Sequence, residues 1–308
     1  MNQTLTIAIV TPTRNQVHTL RDTLESILGQ DGAGTHFQLQ YIVVDGGSTD
    51  GSQELIESYR NQLHLFHSGA DAGPYDAVNK GFESATADIL GWLNGDDLLC
   101  PWALRTVASV FEDLPDCQWV TSRRPAAMTQ GGQIANVLGR AGFSSAAIRA
   151  GAHHPHSLEG LPYIQQESTF FRRGLWESIG GQFDPDYGLA GDADLWMRMA
   201  SVAELDSVPV PLGVFRYVDG QRSQDLRGYD DEVARSIRQR TGKRLSNARP
   251  PASGKLTRLR GKVNRMLHRP SWAYPGSILR LKGWREDHAK WTRESFHLTN
   301  LNKDHFSH

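Results

Sequence analysis

Between residues 5 and 114 the chain alternates, four times over, a short apolar run with a segment whose apolar residues recur at helical spacing. "LTIAIVT" (5–11) is almost continuously apolar, the pattern of a parallel strand covered on both faces. Residues 17–29 then place Val17, Leu20, Leu24, Ile27 and Leu28 on one helical face, and Gly29 can close that helix. The pair of signals repeats as "QLQYIVVD" (38–45) with a helix opening at "STDGSQELIESY", Asp50 as its cap and Gln53 three residues on. It repeats again as "LHLFHSG" (63–69) with a helix over 75–86, and as "DILGWL" (88–93) with a helix over 101–114 that carries Pro101 in its first turn. Strand–helix alternation of this kind predicts an α/β fold, a mostly parallel open sheet flanked by helices.

Ligands of open parallel sheets bind beyond the carboxyl ends of the strands, and polar clusters recur at those ends. Thr11-Pro12-Thr13 follows the first run, Asp45-Gly46-Gly47-Ser48 the second, Asp71-Ala72-Gly73 the third and Asn94-Gly95-Asp96-Asp97 the fourth. Neither a P-loop nor a GxGxxG follows the first strand, so ATP cradling and a nicotinamide fingerprint are both unsupported. The edge instead collects Asp45, Asp71, Asp76, Asp96 and Asp97 without a cluster of lysines. A crowd of carboxylates implies a divalent cation; hard oxygen ligands select Mg²⁺ or Mn²⁺, and such an ion suits a diphosphate ligand.

After residue 115 the periodicity loosens. Residues 122–160, rich in Gly, Ala, Ser and His, read as irregular. Order returns over 162–181 and in a short helix over 191–200. Residues 203–217 read as strands at an edge or bulge because Pro209 and Pro211 interrupt them, and 229–240 reads as helix. "RPPASG" (249–254) is the best linker candidate. His153, His154 and His156 have a zinc-compatible spacing but no second ligand cluster. Cys100 and Cys117 are the two cysteines, which suits a reducing compartment rather than a disulfide framework. With no signal-peptide pattern and no long apolar run, the chain reads as cytoplasmic.

The net charge of −1 conceals an asymmetry: residues 244–308 hold 14 Lys/Arg against 4 Asp/Glu. This tail interleaves its charges with Trp272, Tyr274, Trp284, Trp291, Phe296 and Phe306. Such a segment fits an anionic membrane surface, nucleic acid (the less favoured partner), or a solvated helical extension packed on the main domain.

Five stretches, "IAIVTPTRNQVHTLRDTLESILGQ", "YIVVDGGSTDGS", "GADAGPYDAVNKGFESATADILGWLNGDDLL", "QQESTFFRRGLWESIGG" and "GDADLWMRMA", resemble in order the motifs of family 2 glycosyltransferases of the bacterial surface-polysaccharide type. The resemblance spans residues 5–225 and implies the GT-A (Rossmann-like) fold. It further implies an inverting transfer from a nucleoside-diphosphate sugar to a saccharide or lipid-linked saccharide, with Mn²⁺ or Mg²⁺ on the diphosphate. Domain limits follow: a GT-A domain over 1–228 (donor half 1–115, acceptor and catalytic half 116–228) and a basic helical extension over 229–308.

The same resemblance implies roles residue by residue. Asp96 and Asp97 match the metal motif, although Asp97 could equally cap the helix at Pro101; Asn94 and Gly95 would face the donor. Thr11, Pro12 and Thr13 would line the base pocket with Asp45, while Asp71, Asp76, Asn79 and Lys80 would floor the ribose and donor sugar. Lys80 suits a solvated helix face about as well. Asp192 matches the catalytic base, and Asp194 reads as structural, paired to Arg198 four residues on. Gln166, Glu167 and Ser168 would face donor sugar or acceptor. Gln221 and Arg222 would make closing contacts where many relatives carry a His, here Val218. Two glycines depart from the family pattern: Gly46, where a second acid often follows the strand-two Asp, and Gly191, where an acid usually precedes the base. Two other readings compete with sugar transfer: a nucleotidyltransferase that makes the sugar nucleotide, whose triphosphate loop "TPTRNQV" lacks, and a non-catalytic glycan- or membrane-binding relative, against which Asp96, Asp97 and Asp192 argue.

Overall fold

The computed structural model describes residues 4–151, 153, 161, 163–242, 273–283 and 289–299. The donor half runs β1 (Thr6–Thr13), α1 (Val17–Leu28), β2 (Gln38–Asp45), α2 (Ser52–Ser58), β3 (Leu65–Ser68), α3 (Pro74–Ser84), β4 (Ile89–Trp92), β5 (Leu98–Leu99) and α4 (Ala103–Asp113). There follow β6 (Trp119–Ser122), β7 (Ala126–Met128), β8 (Ile134–Val137), α5 (Ser145–Arg149), β9 (Phe170–Arg172), α6 (Arg173–Ser178) and α7 (Gly191–Val202). Then come β10 (Leu205–Val208), β11 (Gly213–Arg216), α8 (Leu226–Thr241), β12 (Ala273–Lys282) and β13 (Lys290–Thr299).

Seven strands form the main sheet in the order β10-β6-β9-β4-β1-β2-β3, all parallel except β9, which runs antiparallel to both β4 and β6. Period-two alternation decides how β1 is covered. Ile7 and Ile9 enter the layer built with α1 and α4, whereas Ala8 and Val10 enter the layer built with α3 and α7. Both layers exclude water, which is why the run is apolar without a break. Helix α3 lies so close to β1 that a Cβ on Gly81 would fall 2.5 Å from Val10 Cγ1. Because β1 to β4 are parallel, Thr13, Asp45, Ser68 and Trp92 end on one edge, as the polar clusters required.

A second sheet, ordered β5-β11-β7-β8, stands next to that edge. Residues 122–160, expected to be irregular, contribute its strands β7 and β8 and the helix α5. These strands have three and four residues, and β8 is exposed along its whole length, so no hydrophobic period could mark it. Two local expectations also shift. Pro101 lies in a turn before α4, which begins at Ala103. Asp50 does not cap its own helix through N3; its Oδ2 accepts from Val17 N–H at 3.0 Å and its Oδ1 from Ser52 N–H at 3.0 Å, tying the start of α1 to α2.

The helical expectation for the extension holds for α8, whose buried residues Val233, Ser236 and Ile237 face the domain; a boundary at 228/229 falls inside this helix. It does not hold for residues 273–282 and 290–299, which pair as an antiparallel hairpin. "KWTRESFHL" alternates at the strand period and is rich in Trp, Thr and Phe, a signal outweighed in the tail by its charge. The hairpin packs on the domain: Trp291 is buried, its Nε1 donating to Ser109 Oγ at 2.9 Å, and Arg293 pairs with the buried Asp206 at 2.6 Å. Trp272, Trp284, Phe306, the linker 249–254, His154 and His156 lie outside the described residues. His153 is buried, and its Nε2 accepts from Ser144 N–H. Among the described residues no helix is long and apolar enough to cross a membrane.

Candidate active site

The loop after β4 is held from below by α1. Thr19 and Thr23, one helical turn apart and buried, donate to the carbonyls of Gly95 (2.9 Å) and Asp97 (2.8 Å). Thr13 Oγ1 donates to Gln16 Oε1, and Gly95 sits so tightly on this pair that a Cβ there would lie 2.6 Å from Gln16 Oε1. Asp97 is buried, its Oδ1 accepting from Arg216 N–H at 2.9 Å and its Oδ2 from Asn94 Nδ2 at 3.3 Å. Asp96 stays half-buried with its carbonyl accepting from Arg216 Nε. Arg216, which the sequence reading passed over, thus clamps the acidic loop from β11 and anchors on Asp22 at 2.7 Å.

Burial raises all three carboxyls gathered here. Asp96 is raised chiefly by loss of solvent, and Asp97 well above the usual range by burial and by the charges of Glu167 and Asp96. Glu167, in the 3-10 turn Gln166–Ser168, is pushed up to about 7 by burial, and its Oε1 is buried without a hydrogen-bond partner. A divalent cation suits such a set, since it would stabilise every ionised form at once. Among the described residues no three His, Cys, Asp or Glu side chains are arranged to close a metal shell. Asp97 is held by two donors, whereas the half-buried Asp96, bonded by Gln16, and the unpartnered Glu167 Oε1 keep capacity to ligate. The donor set therefore fits an ion that takes its remaining ligands from a diphosphate and water.

Across the edge stands Asp192, in the first turn of α7. Its Oδ1 accepts from Ala193 N–H at 2.8 Å and lies 3.4 Å from Tyr229 OH and 3.5 Å from Tyr75 OH. Burial pushes its carboxyl up to about 6. Asp194, two residues on, is fully paired: Arg198 Nε at 3.0 Å, Arg240 Nε and Nη2 at 2.9 Å and Ser236 Oγ at 2.7 Å. Its structural reading stands, with two partners beyond the expected Arg198.

The other expected residues divide. Asp45 is buried and its carboxylate receives Gly47 N–H, Ser48 N–H, Ser48 Oγ and Ser68 Oγ, so it shapes the β2–α2 turn. Asp71 lies over Gly46, its Oδ2 2.7 Å from where a Cβ would stand, and Tyr75 lies over Gly191 with a ring carbon at the same 2.7 Å. Both departures from the family pattern are therefore filled by side chains, Asp71 from the loop before α3 and Tyr75 from its first turn. Thr11 is buried with its hydroxyl 3.0 Å from Tyr41 OH, leaving only backbone to offer a ligand; Pro12 and Thr13 continue that strand end. Asp76 pairs with Lys80 at 2.8 Å on the partly exposed face of α3. Gln166 bridges Trp92 O (2.6 Å) and Asn94 Nδ2 (3.2 Å) beside the acidic loop.

Three expected contacts are turned inward. Asn79 spends its side-chain amide on the backbone of Phe183, whose ring stacks on Tyr75 at 4.7 Å. Ser168 is buried between Gln165 Oε1 and Gly213 N–H, and Gln221 bonds Val218 N–H and Arg216 O within its own loop. Arg222 is exposed and donates to Gly188 O, next to the turn that carries Asp192.

Residues 8–136 match the family model described as Glycosyl transferase family 2. An uncharacterized glycosyltransferase of Mycobacterium tuberculosis is 28% identical over 204 residues, 66% of this chain and 72% of the relative. A PGL/p-HBAD biosynthesis glycosyltransferase of Mycobacterium bovis is 29% identical over 198 residues, 63% of this chain and 69% of the relative. The fold is that of S. aureus TarS 1-349 solved with UDP-GlcNAc, at a TM-score of 0.58, 18% identity and coverage of 77% and 66% of the two chains. Against the longer TarS chain the match spans 39% of that protein's length. The mannosyltransferase PcManGT of Pyrobaculum calidifontis, solved with GDP-Man and Mn²⁺, aligns at a TM-score of 0.50 and 16% identity, over 87% of this chain and 81% of that one. Over residues 8–136 the chain thus matches glycosyl transferase family 2, and along roughly two thirds of its length it is similar to glycosyltransferases.

Proposed function

We propose that the protein is an inverting glycosyltransferase that moves a sugar from a nucleoside-diphosphate sugar to a hydroxyl of a saccharide or lipid-linked saccharide. The observation that carries the reading is the pair of opposed acidic centres. On one side stand Asp96, Asp97 and Glu167 with no fully matched cation; on the other stands Asp192, half-buried and free of any guanidinium partner. A carboxylate raised to about 6 is ionised at neutral pH yet basic enough to take a proton from an attacking hydroxyl.

In this mechanism the nucleoside rests against the ends of β1 and β2, with backbone of Thr11 to Thr13 at the base and Asp71 beside Gly46. A divalent ion, Mn²⁺ or Mg²⁺, held through Asp96 would offset the diphosphate charge and favour its departure. Asp97 and Arg216 keep that loop in place. Asp192 orients the acceptor hydroxyl and removes its proton as the oxygen attacks the anomeric carbon from the face opposite the leaving diphosphate, so a single displacement inverts the centre. Neighbours of this fold solved with UDP-GlcNAc and GDP-Man support a nucleoside-diphosphate sugar as donor.

The acceptor side is read from charge. Residues 243–272 hold nine Lys/Arg and no Asp/Glu, which suits an anionic membrane carrying a lipid-linked acceptor. The tail aromatics Tyr274, Trp291 and Phe296 are at least partly buried against the domain and are not part of this contact. A thermal-shift screen of nucleoside-diphosphate sugars with and without Mn²⁺ tests the donor reading. Stabilisation by one nucleotide class that needs Mn²⁺ and is lost in Asp96→Asn supports it; equal binding by Asp96→Asn with and without metal refutes the metal assignment. Cosedimentation with phosphatidylglycerol vesicles, compared with a variant carrying Glu at Lys255, Arg258, Arg260 and Lys262, tests the membrane reading; equal binding by both refutes it.

A further inference from the structure

Helix α8 lies beyond the matched family segment, yet two of its side chains, one turn apart, reach the turn that carries Asp192. Glu232 accepts three successive backbone N–H groups there, from Gly188 at 2.9 Å, Leu189 at 2.8 Å and Ala190 at 2.7 Å. Tyr229 brings its hydroxyl to 3.4 Å from Asp192 Oδ1. From the opposite side Tyr75 OH donates to Leu189 O at 2.9 Å and accepts from Asp192 N–H at 3.3 Å, its ring occupying the space over Gly191. A carboxylate that accepts three main-chain N–H groups fixes the loop as a unit, because releasing it would strand a buried charge and three donors.

We propose that Tyr75 and Tyr229 form a positioning clamp on Asp192, braced by Glu232, and that α8 is therefore part of the catalytic machinery. The inference rests on Asp192 being the base. The clamp sets which Asp192 oxygen faces the acceptor: Oδ1 is engaged by Ala193 N–H and bounded by the two hydroxyls, which leaves Oδ2 for the incoming hydroxyl. The groups whose charge reaches this carboxylate or its tyrosine partners are Glu167 from the 3-10 turn, Arg222 beyond β11, and Glu232 and Asp230 on α8. None of these four pairs directly with Asp192, so the hydroxyls are the neighbours that adjust it at close range.

The test uses the full chain, with ¹³C-carboxyl NMR titration of Asp192 (its signal identified by its loss in Asp192→Asn) and hydrogen exchange of the 188–190 amides. Tyrosine hydroxyls favour the ionised form, so Tyr229→Phe should move the Asp192 titration to higher pH by roughly half a unit. On the donor selected by the screen, the acid limb of kcat should move with it, and kcat should fall about tenfold with KM little changed. Glu232→Gln should leave the titration nearly in place but raise exchange at 188–190 and lower kcat, whereas Asp231→Asn, exposed on the same helix, should change neither. An Asp192 titration identical in wild type and Tyr229→Phe, or unchanged 188–190 exchange in Glu232→Gln, overturns the clamp. Transfer that survives Asp192→Asn overturns instead the assignment of the base, a result the titration and exchange readouts keep separate.

Discussion

Asp192 and Asp194 share one turn of α7 and have opposite surroundings. Asp194 is buried beneath two guanidinium groups and a serine hydroxyl, whereas Asp192 meets one backbone N–H and two tyrosines. The contrast recurs across the molecule. Asp206, which anchors the C-terminal hairpin, is buried against Arg293, while Asp96, Asp97 and Glu167 at the sheet edge are raised by burial, Asp97 further by the charges of the other two. Asp194 and Asp206, matched by Arg, hold elements together; on the proposed function Asp96, Asp97, Glu167 and Asp192 surround the space where a nucleoside-diphosphate sugar and its acceptor would meet. Proton transfer and cation binding both need a charge the protein has not already neutralised.

The widest separation between the two classes comes from neutralising each aspartate of the pair. Asp192→Asn should cut transfer by 10² to 10⁴-fold, roughly the contribution of a general base, while raising the denaturation midpoint, because a carboxylate charge poorly accommodated by the fold is gone. Asp194→Asn should do the reverse, costing about 3 kcal/mol in urea unfolding by leaving Arg198 and Arg240 without a countercharge, with the folded fraction still active. The two substitutions move stability in opposite directions only if the classes are real; a shared sign in the two midpoints breaks the comparison. Asp206→Asn belongs with Asp194: it should cost about 2 kcal/mol and loosen the hairpin, read as faster exchange in β12 and β13 with transfer retained.

How much of this was legible in the sequence follows from the same physics. The parallel strands were visible because each is covered on both faces, so its residues are apolar in sequence as well as in space. Asp96 and Asp97 stood out as carboxylates at the end of an apolar run, whereas Asp192 was marked only by the family resemblance. In residues 273–282 and 290–299 the charge that dominates the composition masks the strand period that the ladder from Ala273–Thr299 to Lys282–Lys290 follows. Arg216, Tyr75 and Tyr229 were passed over for another reason. Each is defined by a partner far along the chain, Asp97 for Arg216 and Asp192 for the tyrosines, and nothing local to an Arg in a strand or a Tyr in a helix announces that partner. Gly46 and Gly191 carried a readable signal of a different kind: a small residue at a site edge leaves room, and the structure fills it with Asp71 and Tyr75.

A last expected effect is a pH dependence that runs against the direction usual for ion-paired carboxylates. In the unfolded chain Asp and Glu release their protons near 3.8 and 4.5, whereas folded Asp192 and Glu167 hold theirs to about 6 and about 7. Between those limits the folded state binds more protons than the unfolded one, so these two groups make stability fall as pH rises from about 4 to 7. Each can contribute a slope of at most about 1.4 kcal/mol per pH unit, and the paired carboxylates with depressed values, Asp116 and Asp50, add stability in the opposite sense mainly below pH 4. Urea unfolding in chelator, measured from pH 4.5 to 7, should therefore show a decline in the wild type that Asp192→Asn lessens, with the Glu167 part remaining, and that Asp194→Asn leaves unchanged. A wild-type stability that climbs across this window would place Asp192 among the matched carboxylates and remove the physical ground for treating it as a base.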